Sequence, residues 1–214
     1  MDESVKRALA KWPNVPSCIG WLALDRRGNW RMRDEAAQQG GAAGSTIRHP
    51  ALLAFIARNY GADESGRWFF QNGPQRVYVE LAYTPWIVRM QLTSADRATH
   101  RATSGDLTLT DHCGGAFEPV AGWLDDAGAV LFSDAAGRLA LLHDHDLDLL
   151  TDHTTWDDAN QGATQAACQT DSGRIPPSAT LHWRTHADLP LTPILEGEVE
   201  NRFRFVRSPA ALAG

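Results

Sequence analysis

Short segments of alternating apolar and polar residues recur along the chain, which is the pattern of half-buried β-strands. Between residues 75 and 82, valine or leucine alternates with polar residues and a tyrosine, so that one face of the segment is apolar. The alternation continues over 86–92 and returns briefly over 107–109. These segments predict a chain rich in antiparallel strands.

An Asp-x-x-Gly motif lies between many of these segments. It occurs with a large apolar residue two positions after the glycine, starting at Asp25, Asp63, Asp125 and Asp134. The aspartate can accept hydrogen bonds from the backbone that follows it, and the glycine can adopt a positive φ. This spacing suits a type I turn with a glycine bulge between antiparallel strands. The motif therefore predicts four β-hairpin turns.

Helical patterns are fewer. The clearest runs over 50–61, where Pro50 suits the first turn, apolar residues form a stripe and Gly61 suits the C-terminal cap. The segments 4–11 and 146–152 predict two shorter helices.

Two polar segments interrupt the predicted strands and helices. We predict a loop over 36–45, which is rich in glutamine, glycine and alanine, and a long loop over 154–178, which two adjacent prolines interrupt. After the second loop, 179–185 and 199–206 predict the last strands.

Together these elements predict an α+β fold of mainly antiparallel β-hairpins with a few helices. A Gly-Trp-Leu tripeptide precedes an Asp-x-x-Gly turn at both Gly20 and Gly122, which favours two structurally related halves. We place the boundary near residue 95. The N-terminal half, 1–95, is then a hairpin, a helix and a second hairpin, and 96–214 is a β-rich half that contains the 154–178 loop.

Composition narrows the class of protein. Hydrophobic residues make up 43% and charged residues 21%, which is ordinary for a globular chain. No apolar run approaches the roughly 18–20 residues of a membrane span, and the charged N-terminus has no apolar core of a secretory signal. The three cysteines are far apart, which agrees with a reducing compartment. We therefore expect a cytoplasmic protein.

The charge of the chain bears on its partners. The formal net charge is −6, which argues against nucleic acid and anionic membranes as partners. We expect a small molecule or another protein instead, and the sequence does not specify an oligomeric state. Eight tryptophans are many for this length, and an exposed subset would form a binding surface.

Several segments carry a resemblance to known sequences: 46–53, 63–70, 74–79 and 83–86. They resemble a family of bacterial proteins catalogued only as a domain of unknown function. More distantly, they resemble a second uncharacterised family with a repeated α/β motif in two halves, for which a part in signal transduction has been suggested. The segment 201–209 is similar to the closing strand of the first family. The resemblance implies a fold and carries no catalytic residues.

A candidate ligand site lies at the N-terminus of the helix predicted over 50–61. Exposed backbone N–H groups and the helix dipole attract an anion there, next to Arg48 and His49. Arg76 and Tyr78, on the polar face of a neighbouring strand, would complete a site for a small ligand or a peptide. The alternative is that the arginines pair with acids such as Glu80 and that His49 forms a hydrogen bond within its loop.

A second candidate is a metal site. His143 and His145 would share one face of a strand and can bind a metal together with a carboxylate. The alternative is that the strand ends there, Asp144 or Asp146 caps the next helix, and the imidazoles face water.

Diagnostic catalytic motifs are absent from the sequence, including those of phosphate-binding loops, dinucleotide folds, nucleophile elbows and zinc proteases. The sequence therefore favours a non-catalytic module that binds a small ligand or a partner, with no cofactor and no metal, in a regulatory or signalling role. The alternative function is a metal-dependent hydrolase built on His143, His145 and an acid.

Overall fold

The computed structural model describes residues 1–93, 106–156, 178–183 and 187–212. The chain forms two compact units, one made of Met1–Pro85 and Glu200–Gly214 and the other of Trp86–Val199. The predicted boundary at residue 95 lies in 94–105, outside the described residues. Within the described ranges, no helix is both long enough and apolar enough to cross a membrane.

The first unit contains a six-stranded sheet. Its strands are β1 (Cys18–Leu24), β2 (Trp30–Met32), β3 (Ser45–Thr46), β4 (Tyr60–Ala62), β5 (Trp68–Asn72) and β6 (Gln75–Leu81). They lie in the order β3-β2-β1-β6-β5-β4, and all neighbours are antiparallel except β1 and β6, which are parallel. The helices are α1 (Glu3–Lys11), α2 (Glu35–Gln39), α3 (Pro50–Arg58) and a C-terminal 3-10 helix (Pro209–Leu212).

The second unit contains a nine-stranded sheet in the order β13-β14-β15-β10-β11-β12-β7-β8-β9. Its strands are β7 (Trp86–Thr93), β8 (Asp106–Asp111), β9 (Ala116–Phe117), β10 (Pro119–Asp125), β11 (Val130–Asp134), β12 (Leu139–Leu142), β13 (Thr154–Trp156), β14 (Ala179–Leu181) and β15 (Leu189–Ile194). A 3-10 turn (Asp144–Asp146) leads into α4 (Leu147–Asp152), and α5 (Glu196–Phe203) spans the junction of the two units.

The two sheets repeat one topology. Strands β7 to β12 lie in the order β9-β8-β7-β12-β11-β10, with the same parallel and antiparallel pairings as β1 to β6. The second sheet adds β13 to β15, and only Glu118 stands between β9 and β10, where the first unit has α3. The predicted α+β fold with two related halves is therefore confirmed. The Gly-Trp-Leu tripeptides lie in β1 and β10, which are not equivalent strands, so they do not mark the repeat.

All four predicted Asp-x-x-Gly turns are present, and a fifth lies at Asp111. In each turn, one carboxylate oxygen of the aspartate accepts hydrogen bonds from the N–H groups two and four residues later. Each glycine has a φ between 77° and 88°. In four turns the second oxygen binds an arginine, so that one carboxylate holds both the turn and a guanidinium; these aspartates are Asp25, Asp63, Asp111 and Asp134.

Three sequence-based assignments are wrong. The predicted helix over 50–61 ends at Arg58 with Asn59 as its C-cap, and Gly61 lies in β4 instead of capping the helix. The predicted loop over 36–45 contains most of α2, because the Asp34 carboxylate accepts a hydrogen bond from Ala37 N–H at 2.8 Å and caps that helix. The predicted strand over 199–206, and the closing strand implied by the resemblance, are replaced by α5, whose acidic first turn suits a helix N-terminus.

The chain after α5 returns to the first sheet. Arg204 has a left-handed backbone with a φ of 54°, and Phe205 N–H donates to Glu200 O at 3.2 Å, which is the usual way a helix ends in a left-handed residue. Val206 N–H then donates to Gly66 O at 3.0 Å. In the predicted 154–178 loop, the first three residues form β13, and 157–177 lie outside the described residues.

Candidate ligand-binding face

Arg76 and Tyr78 point to the side of the first sheet that lies opposite α3. The ring of Phe70 packs edge-on against Phe55 of α3, with centroids 5.4 Å apart. Val77 is the cross-strand partner of Phe70 and points to the same side. Because successive side chains of a strand alternate, Arg76 and Tyr78 point away from α3.

Two guanidinium groups stack on a pair of rings at this surface. Arg76 Cζ lies 4.7 Å from the centroid of Phe69, and Arg67 Cζ lies 4.7 Å from the centroid of Tyr78. The two rings are cross-strand partners in β5 and β6, with centroids 6.1 Å apart and planes at 71°. Both rings are buried, and each arginine places its guanidinium over one of them.

Asp63 fixes one of the two arginines. Its Oδ2 accepts hydrogen bonds from Arg67 Nε at 2.9 Å and from the Tyr78 hydroxyl at 3.0 Å. Burial raises the pKa of Asp63, but these bonds and two backbone N–H donors outweigh burial, so the pKa lies below its usual value. The charge of Arg67 is therefore neutralised. Arg76, by contrast, is exposed and forms no ion pair with any residue that the structure describes.

Trp21 of β1 faces the same side. Ala23 pairs with Glu80 of β6, and Trp21 lies two residues before Ala23, so its indole shares the face of Arg76 and Tyr78. The indole is 44% exposed. Just after β2, Arg33 donates its backbone N–H to Trp21 O, and its guanidinium donates to the carbonyl oxygens of Ala37 and Ala42 rather than to an acid. We call the surface formed by Trp21, Arg33, Arg67, Arg76 and Tyr78 the arginine face.

The C-terminal segment covers one end of this sheet face. Glu80 Oε2 accepts a hydrogen bond from Ser208 Oγ at 2.6 Å, and Glu80 Oε1 accepts one from Ala210 N–H at 3.1 Å. The C-terminal 3-10 helix packs on β1 and β6. Since Glu80 lies toward the end of β6 and Arg76 toward its start, the segment leaves Trp21 and Arg76 exposed.

The other two predicted ligand residues lie elsewhere on the first unit. His49 Nδ1 accepts a hydrogen bond from Leu52 N–H at 3.3 Å and caps α3. Arg48 is exposed and, within the described residues, makes no ion pair. Both follow β3, which is separated from β6 by β2 and β1, or about 14 Å across the sheet. The structure therefore brings Arg76 and Tyr78 together, but not with Arg48 and His49, and ligand binding by these residues stays a prediction.

His143 and His145 lie close to each other after β12. Their ring centroids are 4.8 Å apart, and His143 Nδ1 accepts a hydrogen bond from His145 N–H at 3.1 Å. Burial and the nearby charge of Arg89 lower the pKa of His143, which agrees with a neutral ring that accepts this bond. The 3.0 Å contact between His143 Nδ1 and Asp144 Oδ1 then becomes an ion pair only when the ring is protonated.

The acids near these histidines have other partners. Asp146 binds Arg89 through both oxygens, at 2.7 and 2.9 Å, and accepts a hydrogen bond from Met90 N–H at 2.9 Å. Its carboxylate accepts no capping hydrogen bond from α4, and the preceding turn is capped by His143. In the parts of the chain that the structure describes, no group of three or more His, Cys, Asp or Glu residues is arranged to hold a metal ion.

A cluster around Arg138 was not anticipated from the sequence. Its guanidinium binds Asp134 Oδ2 at 2.6 Å and Asp111 Oδ2 at 2.7 Å, and stacks on the rings of Trp86 and Phe117 at 5.0 and 4.9 Å. The Asp-x-x-Gly motif at Asp111 could have predicted the turn from which Asp111 reaches Arg138.

The side chains next to this cluster are uncharged at neutral pH. Burial, followed by the charge of Asp111, raises the pKa of Cys113 to about 12, so its thiol stays protonated at neutral pH. Burial lowers the pKa of His112 to about 4, so its ring is neutral.

The family of the chain follows from its sequence. The model of a family described as "Protein of unknown function (DUF2946)" matches residues 1–210. The chain belongs to this family. The resemblance to an uncharacterised family is thereby confirmed. No curated protein matches the chain.

Two solved structures are similar to this DUF2946 family member, and the first of them shows the same fold. A DUF1285 family protein from Silicibacter pomeroyi DSS-3 is similar with a TM-score of 0.50 and 19% identity, over 87% of each chain. A DUF1285 family protein from Shewanella baltica OS155 has a TM-score of 0.40 and 14% identity, over 62% of this chain and 91% of that chain. The first likeness agrees with the distant relationship to a second uncharacterised family.

The aspartates of this DUF2946 protein predict its response to acid. In Asp25, Asp63 and Asp146, burial raises the pKa, but hydrogen bonds from arginine and backbone N–H groups outweigh burial and lower it. Their contribution is thus fully present above the unfolded pKa of about 3.9 and is lost as the pH falls through the lower folded values. We expect the free energy of unfolding, measured with urea, to be lower at about pH 2.5 than at about pH 5.

The variant Asp146→Asn provides the control for this titration. It removes one of the three titrating carboxylates, so its stability should depend less steeply on pH than that of the unmodified chain. Equal stability of the unmodified protein at both pH values would show that these carboxylates have ordinary pKa values in the folded state.

Proposed function

We propose that this protein is a non-catalytic module that binds a small anionic ligand on the arginine face. The observation that carries the proposal is the state of Arg76. Its side chain is exposed, its Cζ lies 4.7 Å from the ring centroid of Phe69, and it has no acidic partner among the described residues. A guanidinium already placed by a ring contact loses less conformational freedom when it binds a carboxylate or phosphate through two hydrogen bonds.

The local charge supports an anion as ligand. Asp63 neutralises Arg67, whereas Arg33 and Arg76 form no ion pair with described residues, so the arginine face is positive on a chain whose net charge is −6. A positive surface on a negative protein attracts small anions selectively, because the rest of the surface repels them. The same overall charge disfavours long polyanions.

The chemistry of the described side chains supports binding rather than catalysis. Cys113 and His112, the one adjacent thiol and imidazole, are protonated and neutral respectively at pH 7. The alternative hydrolase would need a carboxylate beside His143 and His145, but both oxygens of Asp146 bind Arg89 and no group of three such ligands lies among the described residues. We therefore keep the binding module, with a regulatory role in the cytoplasm, as the proposed function.

A titration with inorganic phosphate tests the proposal. Backbone and arginine Nε–H signals of the isotopically labelled full chain are followed by NMR as phosphate is added. We expect saturable shifts at Arg76 and its strand neighbours. Because a charged hydrogen-bond pair contributes about 1.5–3 kcal/mol, Arg76→Gln should weaken binding about tenfold or more.

The matched control is Arg48→Gln. Arg48 is also exposed and also makes no ion pair in the described part of the chain, but it lies away from the arginine face. Its substitution should leave phosphate binding unchanged. Shifts that do not saturate, or that are the same in the Arg76 and Arg48 variants, would refute the proposed function.

A further inference from the structure

The strand that carries Trp21 is irregular at this residue. The register of β1 against β6 shifts between Cys18 and Leu22, and Gly20 has a φ of 86°. A β-bulge of this kind changes the direction in which the neighbouring side chain points, and such bulges are common next to functional sites. Here the bulge precedes an indole that is 44% exposed beside Arg33 and Arg76.

The indole of Trp21 differs from the other aromatic rings of the first unit described above in having no stacked partner among the described residues. Trp12, which is also exposed, has the Lys11 ammonium 4.5 Å from its ring centroid. In the described ranges, no ring and no cation stacks on Trp21, although guanidinium groups cover the neighbouring Phe69 and Tyr78. An apolar aromatic surface of this size gains stability when another planar group covers it.

We infer that the ligand of the arginine face joins a planar aromatic ring to an anionic group, as a nucleoside monophosphate does. This inference rests on the proposed function. The ring stacks on Trp21, and the anion binds Arg76. The strands of Trp21 and Tyr78 are adjacent, and Arg76 lies two residues from Tyr78, or about 7 Å along β6, a separation that one sugar can span.

A mononucleotide fits this surface better than a single-stranded nucleic acid. Proteins that bind single strands line up several aromatic rings along a positive groove that follows the backbone. The arginine face presents one exposed indole, and the chain as a whole is negative, with a net charge of −6. Each phosphate of a longer strand would meet this unfavourable charge.

The test compares four probes on the full chain by isothermal titration calorimetry: AMP, inorganic phosphate, adenosine and a short oligoadenylate. We expect AMP to bind about tenfold more tightly than inorganic phosphate, because stacking adds to the anion contact. Trp21→Ala should weaken AMP binding about tenfold and leave phosphate binding unchanged, whereas Trp21→Phe should retain most of the AMP affinity. Trp12→Ala, at an exposed tryptophan outside the face, should change neither.

The outcomes separate this inference from the proposed function. If phosphate binds as tightly as AMP, or if Trp21→Ala leaves AMP binding unchanged, the aromatic part of the ligand is refuted while the anion site stands. If neither phosphate nor AMP binds, both are refuted. Binding of the oligoadenylate far more tightly than AMP would replace the mononucleotide with a single-stranded nucleic acid. The shift of the Trp21 indole N–H signal on addition of AMP checks the position of the ring directly.

Discussion

Replacing Arg138 with methionine is expected to lower the free energy of unfolding by about 3–5 kcal/mol. The guanidinium serves two carboxylates at once, Asp111 and Asp134, whose side chains are only 3% and 8% exposed. Methionine fills much of the same space against Trp86 and Phe117 but removes the charge. Two buried carboxylates are then left without their cation, and their repulsion adds to the cost of burial.

Urea denaturation at neutral pH measures this loss, and Arg48→Met is its control. Arg48 is exposed and makes no ion pair with a described residue, so its substitution should change stability by no more than about 0.5 kcal/mol. If the two arginine variants are equally stable, the buried cluster contributes nothing and our account of it is wrong.

The second large effect is expected at Gly66. Alanine at this position should lower the free energy of unfolding by about 3 kcal/mol, of which about 1–2 comes from the left-handed backbone and the rest from overpacking. The glycine has a φ of 77°, and a Cβ atom built there would overlap the carbonyl oxygen of Arg204. Neither backbone can move away easily, because Val206 N–H donates to Gly66 O at 3.0 Å.

The chain contains its own controls for this substitution. Gly128 and Gly137 occupy the same position of the same turn, with φ values of 83° and 78°, and a Cβ atom at either meets no neighbour within 4 Å. Alanine there should cost only the backbone strain of about 1–2 kcal/mol. Thermal and urea unfolding of the three variants then measures how much the overlap with the C-terminal segment adds to the loss of stability at Gly66. Equal losses in all three would show that this approach is not made in solution.

The turns were predictable because their geometry is encoded locally. An aspartate that accepts from the next backbone groups and a glycine that takes a positive φ are set by four neighbouring residues, so Asp25 and Asp134 were recognised. The turn at Asp111 was missed because Ala116, and not a large apolar residue, follows two positions after Gly114. In the same way, α5 was missed because its apolar residues are few, although its acidic first turn indicates a helix.

The candidate site was predictable only in part, for a different reason. The alternation of β6 places Arg76 and Tyr78 on one face, and this period of two is visible in the sequence. The position of Arg48 depends on the order of strands, and the parallel pairing of β1 with β6 joins residues that are far apart in the chain. No local pattern specifies such a pairing. Trp21 was recognisable as a strand residue, but neither its exposure nor its neighbours across the sheet were.

The end of the chain completes the unit with which the chain begins. Glu80 accepts hydrogen bonds from Ser208 and Ala210, and Gly66 O accepts one from Val206 N–H. These bonds can form only after the second unit has been translated. At about 5–20 residues per second, the ribosome needs on the order of 6–25 s to synthesise the residues between. During that interval the nascent first unit exposes the sheet surface that its closing segment later covers, so a chaperone that acts during synthesis would meet this surface before the C-terminus does.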